Sequence, residues 1–263
     1  MPVNPLSEVD NGWTTVGKGK GKGRGGTAAI VDGFNPPIRD YTVEQVTRDF
    51  DRKLMAWQRS SCRLELLQIL DRQQPDEGWN IENAICFATG SYSRDNFQSR
   101  QRSVMQAVAF LDIVQHLETR QDTEIAKFAQ EPHFTEIDAS YLSSKGVQTL
   151  PCEPNKDDRI GLGKASQHLS ASTFVFEPFM DLDAAAASEL FSVDVPLYIG
   201  SSLKRWTTQP SIMLGGAHRE SAMQQAIVYM QARRSYYFPT FEEDPNAFEG
   251  LSIYWREPGE LNS

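Results

Sequence analysis

The sequence predicts a doubly wound α/β domain, Rossmann-like, with a mostly parallel sheet and helices on both faces. Three observations predict it. From residue 82 onward, short apolar runs alternate with stretches of helical period, the order that parallel strands joined by right-handed crossovers require. The runs end where a chain leaves a sheet edge, at Gly90, at Glu131-Pro132 and at Gly200. The chain has 263 residues, and a folded core of about 200 residues buries roughly 70% of its unfolded surface, so it stands without disulfides or metals.

Residues 1–38 are rich in Pro, Gly and Lys and poor in apolar side chains. Such a composition does not bury enough surface to offset its ordering entropy, and the segment reads as a disordered tail. Within it, "GKGKGKGRGG" at 17–26 alternates cations with glycine. It reads first as a solubilising tail and second as an arm making weak RNA contact, because a flexible cationic chain can follow phosphates. Residues 39–78 read as an N-terminal helical segment. Thr42 and Gln45 have the spacing of a capping box, and Val43, Val46, Phe50, Leu54 and Trp57 recur at helical spacing, with Leu64, Leu67 and Leu70 after them. The expected role is a brace on the main domain, with a partner-binding helix as the alternative.

Residues 79–206 form the expected α/β domain. Strands are predicted at 84–88, 125–129, 147–150, 173–176 and 195–199. Between them stand a helical face running from Val104 to Leu117, a helix over 135–144 that Gly146 can cap, and a helix over 182–191. Residues 207–263 read as an extension packed on that domain: a helix over 219–234, then two aromatic-rich stretches. There Leu251, Ile253 and Trp255 alternate with Ser252 and Tyr254, as in an added edge strand. Those aromatics read as closing the sheet, or alternatively as a platform for a protein partner.

The net charge of −9 argues against a general nucleic-acid binder. The three cysteines are scattered, without C-x-x-C spacing, which disfavours a disulfide framework or a zinc site; Cys86 lies in an apolar run and reads as an inert thiol. No apolar stretch is long enough for a membrane helix, and the first residues lack the basic start and apolar run of a signal peptide. The expected location is cytoplasmic, nuclear or both.

In a doubly wound sheet, ligands bind beyond the carboxyl ends of strands, near the switch in strand order. Thr89, Gly90 and Ser91 stand at such an end, and glycine there permits a tight turn or a close backbone approach. The G-x-G-x-x-G pattern is absent, since Ala88 occupies the first position and Arg94 follows, and the next helix is expected to start only after "RDNFQSRQR". Glu131 ends the second strand, where a carboxylate can meet ribose hydroxyls or simply face solvent. "GLGKAS" at 161–166 fails the phosphate-loop pattern at Asp158 and Ala165 and reads as a loop. His116, expected to be exposed late in a helix, joins His133, His168 and His218 in showing no metal or triad spacing, so neither a nucleophile nor a metal is nominated.

Taken in order, the strand ends resemble the domain named for the plant protein "sensitivity to red light reduced". The first strand ends in Ala88-Thr89-Gly90-Ser91, where that family has Gly-x-Gly-Ser. The second ends in Glu131-Pro132-His133-Phe134, followed by Glu136 and Asp138, where it has Asp-Pro-x-Phe and an acidic helix start. Glu177-Pro178-Phe179-Met180 stands in the place of Met-Pro-His-Cys, and Gly200-Ser201-Ser202 in the place of Gly-Asn-Ser. Chemistry resting on that histidine, cysteine or asparagine is thus in doubt for this chain. The resemblance implies roles in light signalling, circadian regulation and haem or tetrapyrrole metabolism. The leading reading is a regulatory, non-catalytic protein. Its small ligand, nucleotide-like or a tetrapyrrole, would sit across Thr89, Gly90, Ser91, Glu131, Glu177, Gly200 and Ser201. No cofactor is identified. The alternatives are an S-adenosylmethionine-dependent methyltransferase, and an RNA-associated adaptor using the basic arm.

Overall fold

The computed structural model describes residues 35–152, 161–178, 184–204 and 219–256. The tail over 1–34 with its arm at 17–26, and Phe179 and Met180, lie outside the described residues. Residues at the end of the segment read as disordered are placed: Ile38 donates its backbone N–H to Ser93 at 2.8 Å, and Pro37 bridges to Arg94.

Helix α1 (Val43–Arg59) begins at the expected capping box, in which Thr42 Oγ1 accepts the Gln45 N–H and the Gln45 side chain accepts the Thr42 N–H. Ser60 breaks the run in an extended conformation and caps α2 (Ser61–Arg72) by accepting the Arg63 N–H. Val46, Phe50 and Trp57 are buried against the main core. One polar clamp fixes them there. Asp112, in the middle of α3 (Phe97–Gln121), accepts the Trp57 indole N–H at 3.0 Å and the Arg63 Nε–H at 2.7 Å.

Helix α3 starts at Phe97, seven residues before its apolar face begins at Val104 and earlier than the sequence suggests. Its polar first turns hide the period, while the Asn96 side chain caps them by accepting the Ser99 N–H at 3.0 Å. His116 is half-buried rather than exposed, because Asp71 at the end of α2 reaches its Nε2 at 2.8 Å.

The sheet has seven strands in the order β3-β2-β1-β4-β5-β7-β6. Strands β1 (Asn83–Phe87), β2 (Ala126–Gln130), β3 (Val147–Leu150), β4 (Thr173–Glu177) and β5 (Leu197–Ser201) run parallel. Helix α4 (Glu136–Ser144) connects β2 to β3, and α5 (Ala184–Ser192) connects β4 to β5. The "GLGKAS" loop contains a short 3₁₀ turn, Gly163–His168, with His168 stacked on Phe128.

After α6 (Arg219–Gln231) the chain departs from expectation. A strand not predicted, β6 (Arg233–Tyr237), forms the sheet edge. The strand predicted as the edge, β7 (Leu251–Arg256), instead lies antiparallel between β5 and β6. Its alternation does not separate core from solvent. Leu251, Ile253 and Trp255 enter the core under α1 to α4, Tyr254 enters the core under α5 and α6, and Ser252 is buried as well. A strand buried on both faces is what the interior of a layered α/β sheet demands. Among the described residues, no helix is long and apolar enough to cross a membrane.

Candidate functional site

The chain runs from β1 outward to β2 and β3, then returns to the other side of β1 with β4. The switch in strand order therefore falls between β1 and β4, at whose carboxyl ends a crevice is expected. The candidates predicted from sequence gather there in two groups.

The first group surrounds the end of β1. Ala88 takes φ 52° and Gly90 φ 77°, both left-handed. This is costly for alanine, and such strain concentrates at ligand clamps and turns. Gly90 is required twice over, because a Cβ there would also stand 2.6 Å from Ser103 Oγ on α3. The Gly90 N–H donates to Glu131 Oε2 at 3.0 Å, while Glu131 Oε1 accepts the His133 N–H at 2.9 Å. Glu131 is thus buried and occupied by the protein's own backbone, not facing solvent at the strand end. Ser91 Oγ donates at 2.6 Å to Asp138 Oδ2, which also accepts the Thr135 N–H; Asp138 Oδ1 accepts the Tyr92 N–H at 3.1 Å. Asp138 is fully buried and does two jobs: it completes the capping box of α4 with Thr135 and pins the β1–α3 loop. Tyr92 packs among Phe50, Phe134 and Tyr141, and burial pushes its hydroxyl pKa far up.

The second group sits across β4 and β5. The fully buried Glu177 accepts the Tyr198 hydroxyl at 2.7 Å and the Ser201 N–H at 3.1 Å through Oε2, and the Ser201 hydroxyl at 3.4 Å through Oε1. Gly200 leaves the space this needs, since a Cβ there would meet the Tyr198 hydroxyl and lie 2.7 Å from Glu177 Oε2. Burial, and next the Glu177 charge, push the Tyr198 pKa far above its usual range.

Beside the first group, on the side of β1 away from β4, lies a residue that sequence reading missed. Gln130 ends β2 beside the turn, is buried, and its Oε1 has no hydrogen-bond partner. The half-buried Cys152 thiol after β3 is pushed up to about 11 by burial and then by Glu131, while a hydrogen bond from the Gln130 side chain acts in the opposite direction. Nothing local in the sequence marks Gln130; only strand pairing sets it beside the end of β1. Asp138 did carry a signal, the T-x-x-D spacing at Thr135. Among the described residues, no group of three or more His, Cys, Asp or Glu could hold a metal ion.

The arrangement can do two things chemically: hold a glycine turn rigid from both sides, and offer a buried amide acceptor at the strand ends. The model of the SRR1 domain matches residues 62–255. Among solved structures the chain is similar to one titled "Crystal structure of a putative O-methyltransferase from Klebsiella pneumoniae". The two are 13% identical, the match covers 80% of this chain and 90% of that one, and the TM-score is 0.40. No curated protein matches.

Proposed function

The chain belongs to the SRR1 domain family, and from that premise we propose that it is a regulatory protein whose α/β domain takes a small ligand at the β1–β4 edge. Its roles would be the light-signalling, circadian or haem-related ones that the resemblance implies. The observation that carries the reading is the Gln130 amide oxygen, buried and unpartnered one strand from the switch point. A buried acceptor without a donor costs about 1–3 kcal/mol, and a ligand N–H would recover it. A nucleobase amino group or a pyrrole N–H supplies such a donor. In this reading Glu131 and Glu177 set the walls rather than contact the ligand, because protein donors already occupy both carboxylates. Thr89, Gly90 and Ser91 at the end of β1 then form the middle of the site, with Gln130 on its β2 side and Gly200 with Ser201 as the far wall.

The methyltransferase reading keeps one support, a glycine turn in direct contact with a strand-end acid. Against it, each Glu131 oxygen already accepts a backbone N–H, so ribose hydroxyls would have to compete.

Thermal unfolding of the full chain against ATP, NAD, S-adenosylmethionine and a metal-free porphyrin, whose pyrrole N–H groups are not taken up by iron, tests both. A ligand at 100 times its dissociation constant adds about 2.7 kcal/mol, a shift of roughly 5–10 °C. One compound should raise the midpoint in the native chain and lose that effect in Gln130→Leu. No shift with any of the four, or a shift that Gln130→Leu leaves intact, rejects the site. Methyl transfer from S-adenosylmethionine to any acceptor would favour the enzyme.

A further inference from the structure

At the other end of the sheet, α5, α6 and the first residue of the edge strand β6 line an open cleft of about 490 Å³. That volume lies within the range of small-molecule sites, roughly 300–1,000 Å³. Phe191, Val228, Tyr229 and Ala232 make most of it apolar, and its charged groups, Asp194 and Arg233, meet at the start of β6 while Ser221, Gln224 and Gln225 line it from α6.

There the Arg233 guanidinium lies 3.5 Å from the Tyr229 ring centroid, and its side chain is 2% exposed. It pairs with Asp194 and donates to the Val195 and Tyr229 carbonyl oxygens. Arg256 pairs with the same Asp194, so two guanidinium cations share one carboxylate. Three buried polar atoms on residues lining the cavity lack a hydrogen bond of good geometry: Arg233 Nε and the Tyr229 hydroxyl, whose side chains lie within reach of each other, and the Gln225 amide oxygen. Tyr229 is itself only 4% exposed. Two of the three are donors, the local charge is positive, and the remaining wall is apolar.

We propose that this cleft is a second binding site, for a small amphipathic monoanion: a carboxylate carried on an aromatic or branched aliphatic body. The apolar body packs on Phe191 and Val228, and the carboxylate takes the donor surplus beside Arg233 and Tyr229. A carboxylate accepts through two oxygens and favours guanidinium partners, which a neutral hydroxyl cannot match. The proposal stands apart from the β1–β4 site, and neither needs the other.

The test is calorimetric titration of the full chain with phenylbutyrate and with phenylbutanol, its neutral counterpart. The acid should bind at least about tenfold more tightly than the alcohol, a factor that one charge-assisted contact supplies. Gln225→Glu places a like charge in the cleft and should abolish binding of the acid. Val228→Trp, at a position 54% exposed and so tolerant of bulk, should block both compounds. Equal binding of acid and alcohol would reduce the cleft to an apolar patch and overturn the proposal. So would binding of neither compound, or binding of the acid unaffected by both substitutions.

Discussion

The Glu131 carboxylate holds the Gly90 turn, accepting the Gly90 N–H at 3.0 Å across the gap between β2 and the end of β1. Its other oxygen accepts the His133 N–H, so one side chain sets the path of the chain out of two adjacent strands.

Glu131→Ala strands both donors in a buried place, and stability should fall by about 2–3 kcal/mol, read as a lower urea midpoint. Glu131→Gln keeps one acceptor oxygen and should lose less. A native-like midpoint for Glu131→Ala would mean that the turn holds without the carboxylate.

At the second wall, Tyr198→Phe removes the hydroxyl that Glu177 accepts in a fully buried setting. The expected cost is about 1–3 kcal/mol. Gly200→Ala should cost at least as much, since its new Cβ would fall 2.7 Å from Glu177 Oε2. Denaturation curves check both, and a native-like midpoint for Gly200→Ala would show that β5 can shift outward.

The brace depends on Asp112. Asp112→Ala leaves the Trp57 indole N–H without its acceptor and Arg63 without its partner, for an expected loss of about 2–3 kcal/mol. Arg63 is 30% exposed and partly solvated, so Arg63→Met should cost less than half of that. A double variant whose loss equals the two single losses added together would show that the pair does not act as a unit.

The thiols make a prediction in pH. Burial, with nearby acids second, lifts Cys62 to about 12 and Cys152 to about 11 from an ordinary 9.0, and burial lifts Cys86 well above it. The folded state thus keeps its thiol protons where the unfolded chain has begun to lose them. These groups contribute their full stability below pH 9, and lose it as pH rises through about 11 and 12. A urea midpoint that falls over this interval, with a smaller fall in Cys62→Ala, is the expected result. A dithiobis reagent at pH 8 should modify Cys152 first, because Cys62 and Cys86 are buried.

What the sequence carried legibly was whatever is local. The capping box at Thr42, the glycine after β1 and the four-residue strand at Val147–Leu150 all announce themselves within a few residues. Pairing is what it hid. Tyr236 and Tyr237 in β6 look like a loop because the strand is exposed, and its hydrophobic support, Trp255 stacked under Tyr236, lies on β7. Glu131 and Glu177 were legible as strand-end acids but not as fully occupied ones, since the Gly90 N–H that fills one Glu131 oxygen comes from 41 positions away and the Ser201 N–H on Glu177 from 24. Gln130 had no signal at all, being a polar residue at the end of an ordinary run.

The insertion of β7 between β5 and β6 sets a timetable. While the chain is being synthesised, β6 emerges before the only strand it pairs with among the described residues, and β5 waits with an open edge for the same late arrival. Tyr254 then completes one core and Trp255 the other in consecutive positions. A nascent chain released before residue 251 would therefore leave two raw edges and both faces unsealed, a form that quality-control proteases are suited to remove.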